Sequence, residues 1–526
     1  MRHFAERLRR IGSLLVVLMT LLVFPIFPRG NLEGSAITSP APIQQASPTG
    51  NYVTTFRLAD SNLSLSPVIV YPTPTRVWVL AQNYGQPFYS QILAFTPKPQ
   101  PRFEVSVSLT GVFVSSSITV DAQSGRIWYG VGKMLAYYDQ STGKNQTVAG
   151  FPGGALGYLT VDGRSRVWAT LTGANSVGLY DPARPGNTTY RVPTSNSGLQ
   201  GITATAPDGS IWFAETSVKK LGRLDPNTLS ITEYTAPSDV AAPTQLVVDA
   251  NGVVWYSDHA TSDFGSFNPA TGEWRKIPVG YCLGDCPVAL PNAIALDTNE
   301  KLWFSEHLRG VIGEYDSVLG LLTEYTIPLP PSNTLQFPAT WWTWPGPDSL
   351  IWFADLSLRE IGYVNSSVPI PLTISSERGA SAFQGGQGTL PVTVNHQGQS
   401  SVSLGISTTS FDTRNSQITA HAENLSPVAY PVQATAKFTV GWGASLQSRY
   451  VTVTVQNGEI AVSIPVKLTV RTAYLTVGVA LGLTAIAVFS HRREKRSNRE
   501  EENAGETNGS STKTGEDLHS RISFTP

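Results

Sequence analysis

The chain of 526 residues is poor in cysteine and in charge. Two cysteines are too few for a disulfide-dense scaffold or a four-cysteine zinc site. Charged residues make up 14% of the chain and the formal net charge is −1, so there is no excess of positive charge to attract nucleic acid. Aromatic residues make up 10%, including 12 tryptophans, which is ample material for packed cores. We therefore expect a globular chain with no nucleic-acid partner.

The two ends of the sequence predict segments outside the folded part. Residues 1–36 begin with arginines and continue with an apolar run, as in a signal peptide or an uncleaved N-terminal anchor, and both alternatives stay open. Residues 37–51 are a linker that contains Pro, Ser and Gln. Residues 473–490 are uncharged and long enough for a single transmembrane helix. Residues 491–526 begin with basic residues and predict a disordered cytoplasmic tail.

This arrangement predicts a protein of the cell membrane that crosses it once. The bulk of the chain would lie outside and the C terminus in the cytoplasm, because basic residues beside a span stay on the cytoplasmic side. The predicted partners are therefore the membrane, through the C-terminal helix, and an extracellular ligand or protein.

A tryptophan recurs every 40 to 50 residues through the middle of the chain. The seven positions are Trp78, Trp128, Trp168, Trp212, Trp255, Trp303 and Trp352. An apolar strand that ends in Asp or a turn precedes most of them, and two further strands follow, as in KLWFSEH, VIGEYDS and LTEYTIP. Four short strands per repeat at this period are typical of a β-propeller blade. We therefore expect a seven-bladed β-propeller over 52–368, with six blades as the alternative because the first two repeats are degenerate.

The ends of the repeat region predict how the ring closes. The seventh repeat has a third strand at 360–366 but no clear fourth strand after it, whereas residues 52–58 resemble a fourth strand. Pairing these two segments would remove two exposed sheet edges.

A second all-β unit follows at 372–470. Its segments alternate apolar and polar residues, and Asn457-Gly458 predicts a tight hairpin between the last two strands. About seven strands in ~100 residues predict an Ig-like β-sandwich, which we expect to act as a stalk. The predicted fold class is thus all-β: a seven-bladed β-propeller, an Ig-like β-sandwich and a single C-terminal transmembrane helix.

Four repeats carry an acid at the same place, directly after the W-F-x motif. These acids are Glu215, Asp258, Glu306 and Asp355, and histidines His259 and His307 follow two of them. Ring geometry would bring the four carboxylates toward one end of a central channel, and all six side chains are candidate ligand-binding or channel-lining residues. For the two histidines, the alternative of solvated loop residues is favoured. Oxygen ligands that converge suit Mg²⁺ or Ca²⁺, and Glu306 and Asp355 are the candidate metal ligands. The alternative is that each acid accepts hydrogen bonds within its own blade.

The two cysteines stand close together, as Cys282-Leu283-Gly284-Asp285-Cys286. In an oxidising compartment we expect a disulfide between Cys282 and Cys286 that pins the loop between the fifth and sixth repeats. Three intervening residues do not fit a C-x-x-C redox motif.

The repeat W-F-x-E, I-G-x-x-D-P and T-E-Y-x-x-P resembles that of the virginiamycin B lyase (streptogramin B lyase) family, and more distantly NHL-like propellers. The resemblance is good over 155–365 and loose over 52–150. It implies a magnesium-dependent eliminase that opens a cyclic depsipeptide at its ester. In that family the catalytic His follows a Pro, with an acid before the Pro. The matching positions are Pro243-Thr244, Pro291-Asn292 and Pro338-Ala339, none of which carries His or a preceding acid.

No catalytic residue is therefore carried over from the family. Asn292 and Thr244 cannot accept a proton as a general base does. Two hypotheses stay open: a membrane-anchored extracellular propeller that binds a ligand or protein, and a metal-dependent lyase or hydrolase of an ester or lactone. The first is favoured.

Overall fold

A computed structural model describes most of the chain and shows that it folds into β-sheets. The described residues are 44–45, 50–58, 65–84, 89–96, 102–109, 114, 116–280, 288–329, 339–397, 401–407, 418–421, 423–425, 429–446 and 448–506. The predicted signal or anchor segment at 1–36 and the predicted disulfide between Cys282 and Cys286 lie outside these residues. The all-β prediction is confirmed.

Seven four-stranded sheets follow one another along the chain, as in a β-propeller. Two short strands come first, β1 (Gln44–Gln45) and β2 (Val53–Arg57). Consecutive strands then form sheet 1 with β3 (Leu65–Pro72), β4 (Val77–Asn83), β5 (Tyr89–Thr96) and β6 (Arg102–Leu109), and sheet 2 with β7 (Thr119–Asp121), β8 (Arg126–Val131), β9 (Met134–Asp139) and β10 (Lys144–Gly150). Sheet 3 contains β11 (Leu156–Val161), β12 (Val167–Leu171), β13 (Ser176–Tyr180) and β14 (Asn187–Arg191).

The next sheets repeat this order. Sheet 4 contains β15 (Leu199–Thr203), β16 (Ile211–Glu215), β17 (Lys220–Leu224) and β18 (Ile231–Thr235). Sheet 5 contains β19 (Pro243–Val248), β20 (Val254–Asp258), β21 (Asp263–Asn268) and β22 (Glu273–Pro278), and sheet 6 contains β23 (Pro291–Leu296), β24 (Leu302–Glu306), β25 (Val311–Asp316) and β26 (Leu321–Thr326). Sheet 7 contains β27 (Thr340–Pro345), β28 (Leu350–Asp355) and β29 (Glu360–Asn365), and takes β2 as its fourth strand.

The pairing of β2 with β29 joins the start of the sheet series to its end. It is antiparallel, from Val53 opposite Val364 to Arg57 opposite Glu360. This is the closing pair expected from the sequence. Strand β27 of sheet 7 also packs on β3 of sheet 1, and residues of sheets 1, 2 and 7 share one hydrophobic core.

The recurring tryptophans lie on the second strand of each sheet, and an acid at the end of the first strand holds the indole in three sheets. The Nε1–H groups of Trp168, Trp255 and Trp303 donate to the Oδ2 atoms of the aspartates six residues earlier, at 2.9, 2.9 and 3.0 Å. The other carboxylate oxygen of each aspartate accepts backbone N–H groups of the turn. One acid thus fixes both the turn and the core tryptophan.

The glycine of the I-G motif on the third strand lies under an aromatic ring of the second strand. A Cβ atom on Gly313 would be 2.3 Å from Cζ of Phe304, and one on Gly362 would be 2.4 Å from Cζ of Phe353. Because no side chain fits this space, the motif requires glycine.

Residues 372–471 form a β-sandwich of two sheets. One sheet has the order β30 (Leu372–Ser376), β32 (Gln387–His396), β36 (Val432–Val440) and β34 (Ile418–His421). The other contains β38 (Ile460–Arg471), β37 (Arg449–Asn457), β33 (Val402–Ser407) and β35 (Glu423–Leu425), with β31 (Gly379–Phe383) parallel to β38. Buried valines, leucines and isoleucines of both sheets form its core. The finer Ig-like assignment stays a prediction.

The sandwich is joined to the propeller by strand pairing and a hydrogen bond. Strand β26, the outermost strand of sheet 6, pairs with β38 from Leu322 opposite Ser463 to Tyr325 opposite Ile460. The Oγ1–H of Thr452 donates to the carbonyl of Pro278 in sheet 5 at 2.7 Å. This pairing makes one continuous sheet of both units, and the role of the sandwich as a stalk stays a prediction.

The chain continues after the sandwich as helix α1 (Ala473–Glu506). Among the described residues, no helix has the length and apolar character needed to cross a membrane, so the transmembrane helix predicted at 473–490 is not found. The predicted disorder is wrong for 491–506, which continue the helix because Glu, Lys and Arg are good helix formers. Residues 507–526 lie outside the described part.

Candidate functional site

The innermost strands begin with a bulge in five successive sheets. The register shifts between the first and second strands at residues 156–159, 199–202, 243–246, 291–294 and 340–342. In three sheets a hydroxyl of the second strand stabilises the bulge: Thr170 accepts from the N–H of Tyr158 at 2.9 Å, Ser257 from Gln245 at 3.0 Å and Ser305 from Ala293 at 3.2 Å. A bulge redirects side chains, and bulges are frequent beside functional sites.

The bulges and the adjacent strand ends bring six side chains to the end of the sheets where the innermost strands begin. We call this set the mouth cluster: Tyr158, Gln245, Asn292, Trp341, His259 and His307. Each of the first four lies in a bulge or beside one, and the two histidines directly follow the second strands of sheets 5 and 6.

Three members of the mouth cluster, His259, His307 and Trp341, form an aromatic group. The two imidazole rings stack with centroids 5.4 Å apart and planes 7° apart. The ring of Trp341 meets His307 edge-on, with centroids 4.7 Å apart. Nδ1 of His259 is 3.1 Å from the carbonyl of Pro291, which only accepts, so this nitrogen carries a proton. The structure thus places the two candidate histidines side by side, and His259 is buried rather than a solvated loop residue.

Both histidines are held in the neutral state. Burial lowers the pKa of His259 despite hydrogen bonds that act in the opposite direction. Burial, together with the nearby His259, lowers the pKa of His307 to about 3. A group with this pKa is a weak base at neutral pH, and general-base catalysis is most efficient when the pKa lies near the working pH.

Asn292 is the residue that the family resemblance places at the position of a catalytic histidine. Its side chain is 1% exposed, and Nδ2 donates to the carbonyl of Trp341 at 2.7 Å. Thr244, at the matching position in sheet 5, donates its hydroxyl to the carbonyl of Ala242 at 2.9 Å. Both side chains therefore hold the backbone in place, and neither is able to abstract a proton.

One polar atom of the mouth cluster, Nδ1 of His307, is buried without a hydrogen-bond partner among the described residues. Tyr158 stacks on Trp342 with ring centroids 6.1 Å apart. Burial raises the pKa of Tyr158 to about 12, although a hydrogen bond with Gln245 opposes the rise. The cluster thus offers aromatic faces and amide or imidazole groups without a net charge.

The four acids that follow the W-F-x motif point into their own sheets. Each is fully buried and lies beside a second acid and a cation of the same sheet: Glu215 with Glu233 and Lys220, Asp258 with Asp263 and Lys276, Glu306 with Glu324 and Arg309, and Asp355 with Glu360 and Arg57. The closest ion pairs in the first two groups are Lys220–Glu233 at 2.8 Å and Lys276–Asp263 at 3.3 Å. Asp258 and Asp355 accept backbone hydrogen bonds within their own blades, as the alternative expects, whereas both carboxylate oxygens of Glu215 lack a hydrogen-bond partner among the described residues.

Two carboxylates with one cation leave one negative charge uncompensated, and the pKa values reflect this. Burial, with the charge of Glu233, raises the pKa of Glu215 to about 8 although Lys220 acts against it. Burial raises the pKa of Asp263 and of Asp355 to about 6. Burial and the charge of Glu306 raise the pKa of Glu324. These acids retain protons at pH values where exposed carboxyl groups are ionised.

The described residues do not fit the divalent cation that the family resemblance implies. No three His, Cys, Asp or Glu side chains of the described part are grouped as a metal ion requires. Asp355 accepts from the N–H of Leu358 at 2.8 Å and the hydroxyl of Ser357 at 3.0 Å, and Oε2 of Glu306 is 3.5 Å from Nη1 of Arg309. The geometry therefore gives no support to Glu306 and Asp355 as metal ligands for Mg²⁺ or Ca²⁺.

Tyr158, Gln245 and Trp341 could not be recognised as site residues from the sequence. Nothing in the W-F-x repeat marks them, because a bulge decides where they point. The available signal was the hydroxyl at the penultimate residue of the second strand, Thr170, Ser257 or Ser305, which accepts the bulge N–H.

The order and pairing of the sheets are those of a β-propeller, and comparisons with known proteins show what the repeat region is similar to. Residues 142–370 match the virginiamycin B lyase family, which confirms the resemblance predicted from the repeats. No curated protein matches the chain.

Solved structures of similar architecture include a catalytically inactive virginiamycin B lyase of Staphylococcus aureus with quinupristin, 20% identical over 59% of this chain and 98% of that one, with a TM-score of 0.49. A streptogramin B lyase is 21% identical over 60% of this chain and 97% of its own, with a TM-score of 0.48. A chain of a nidogen–laminin complex is 11% identical over 44% of this chain and 87% of its own, with a TM-score of 0.35.

Proposed function

We propose that this protein is a non-catalytic β-propeller that binds a peptide segment of a protein partner at the mouth cluster. The proposal includes a single ring of seven blades, formed by sheets 1 to 7. The series closes through β2, each sheet contacts the next, and sheet 7 packs on sheet 1. A closed ring aligns the starts of all innermost strands around one opening.

The observation that carries the proposal is the state of the residues at the positions of the family's base. Asn292 and Thr244 are committed to backbone carbonyls, and the pKa of His307 lies near 3. Without a titratable base in reach of a substrate, the elimination that the family performs has no proton acceptor. The lyase hypothesis is therefore the less favoured of the two.

The lining of the mouth cluster supports a peptide as the ligand. Amide and imidazole groups without a net charge match the N–H and C=O groups of a peptide, and the ring of Trp341 offers a face for an apolar side chain. The buried Nδ1 of His307 lacks a partner among the described residues, and such an atom is usually explained by water or a ligand.

A photo-cross-linking experiment tests this proposal. A photoreactive phenylalanine derivative replaces Trp341 in the full chain, and the control carries it at Asn299, an exposed turn residue at the opposite end of sheet 6. In cells that normally produce the protein, we expect one discrete protein adduct from the Trp341 position and none from Asn299. The adduct from the Trp341 position should be lost when Gln245 is changed to Ala. Equal labelling from both positions, or no adduct, would refute binding at the mouth cluster.

The placement of the propeller outside the cytoplasm belongs to the same proposal. It rests on the basic, then apolar, start of the sequence.

A further inference from the structure

Three large apolar side chains are exposed at the end of the sandwich from which helix α1 leaves. The exposed fractions are 42% for Phe383, 65% for Trp442 and 49% for Leu446. Phe383 ends β31, Trp442 and Leu446 lie in the segment after β36, and β38 ends nearby at Arg471. We call these three residues the end patch.

Hydrogen bonds and packing show that the end patch is one surface. The N–H of Gln384 donates to the carbonyl of Arg471 at 2.9 Å, and its side-chain amide donates to the carbonyl of Ala444 at 2.6 Å. The indole of Trp442 covers Gly385, where a Cβ atom would lie 2.2 Å from the ring. The end of β31, the segment after β36 and the end of β38 are thus held together.

Basic side chains border the end patch. Parallel pairing places Gly379 beside Lys467, Ser381 beside Thr469 and Phe383 beside Arg471. Ala382 and Val470, between these pairs, are buried, so the paired residues themselves face outward. Lys467 and Arg471 line a groove of about 520 Å³ together with Arg378, and the groove contains one acid, Glu377. The rim of the patch therefore carries excess positive charge.

Helix α1 begins two residues after Arg471 and carries further exposed apolar side chains. Its side chains Leu483, Ile486, Val488 and Phe489 are between 47% and 74% exposed. Basic residues follow directly in HRREKR at 491–496. An apolar surface of this extent, left in water, is unfavourable and marks an interaction site.

We propose that the end patch rests on the surface of a lipid bilayer, at the level of the headgroups. Indole rings are favoured at this level because one side of the ring is apolar and the N–H finds polar partners. Arg471 and Lys467 at the rim would pair with lipid phosphates, and basic groups near an anionic surface are attracted to it. The apolar part of α1, which starts at the same end, would share the lipid surface.

Tryptophan fluorescence of the full-length protein tests the proposal, because α1 contains no tryptophan. The protein is mixed with vesicles of phosphatidylcholine and phosphatidylglycerol whose acyl chains carry bromine, a short-range quencher. We expect quenching in the wild type that is lost in Trp442→Phe. Trp344→Phe, which changes a partly buried propeller residue, is the matched control and should keep the quenching.

Charge at the rim is tested with the same vesicles. We expect Arg471→Gln to weaken vesicle binding about fivefold when phosphatidylglycerol is present and to have little effect on phosphatidylcholine alone. Vesicle binding with equal quenching in wild type and Trp442→Phe would show that α1 alone contacts lipid and would overturn the proposal. Absence of vesicle binding would overturn it as well, and so would concentration-dependent dimers in which Trp442 is shielded from iodide without lipid.

Discussion

The carboxyl group of Glu215 predicts an unusual dependence of stability on pH. Its pKa is about 8 in the folded chain, against the ordinary value of 4.5 that it regains on unfolding. Between pH 4.5 and 8 the folded chain therefore holds a proton that the unfolded chain releases. Stability that this group provides at low pH is lost as the pH rises through this window, at up to ~1.4 kcal/mol per pH unit.

Replacement by glutamine removes this titration while keeping the shape of the side chain. At pH 7 the difference between the folded and unfolded pKa corresponds to a loss of about 3 kcal/mol in unfolding free energy. Because solvent near Lys220 screens part of this effect, we expect Glu215→Gln to stabilise the protein by ~1.5 kcal/mol. The gain should vanish below pH 4.5, where Glu215 is protonated in both states, and grow until about pH 8. Denaturant unfolding of wild type and variant at several pH values measures it.

Glu233 provides the matched control because it lies in the same group and has the opposite shift. Burial raises its pKa, but hydrogen bonds from Lys220 at 2.8 Å and from the N–H and hydroxyl of Thr194 at 2.7 and 2.6 Å outweigh burial and lower it. Glu233→Gln should therefore destabilise the protein at neutral pH, with the loss disappearing in acid. A pH-independent effect of Glu215→Gln, or a loss of stability at pH 8, would refute the assignment of a buried proton to Glu215.

Three further predictions concern packing, acid stability and placement. Gly313→Ala puts a Cβ atom 2.3 Å from Cζ of Phe304, so we expect a loss of ~1–3 kcal/mol in unfolding free energy, whereas Gly252→Ala, where nothing lies within 4 Å but φ is +78°, should show only the smaller backbone cost. His307 has a pKa of about 3 in the folded chain and 6.5 in the unfolded chain, so it destabilises the fold as the pH falls below 6.5. His307→Phe should therefore make the melting temperature less sensitive to acid, and an unchanged dependence of the melting temperature on pH would contradict this. Protease added to intact cells should cleave the chain between residues 37 and 472, and full protection there would contradict the external placement.

The architecture could be predicted from the sequence because its signals are local and repeated. In three of the sheets the recurring tryptophan lies six residues after an aspartate, and its indole N–H donates a hydrogen bond to that aspartate across one turn. The closing strand β2 could be predicted because the seventh repeat lacks a fourth strand while a matching segment stands at the start of the series. Neither inference needed knowledge of distant contacts.

The site depends on register, which a single repeat does not reveal. Glu215 and Glu233 stand 18 residues apart, and only the pairing of β16, β17 and β18 brings them together around Lys220. The same holds for Asn292, whose partner is the carbonyl of Trp341 in the next sheet. The shared position after W-F-x predicted that the four acids would converge on one point. In the structure, each acid instead lies beside a second acid and a cation of its own sheet.

The central claim is that the mouth cluster binds a peptide and has no lyase chemistry, and one incubation tests it most directly. Quinupristin is incubated with the full-length protein and Mg²⁺ and followed by reversed-phase chromatography, since elimination opens the ring without changing its mass. The claim predicts that the cyclic compound stays intact at the rate of the protein-free blank. Accumulation of the linear product, abolished by His307→Phe, would show that the mouth cluster holds a working base and would contradict it.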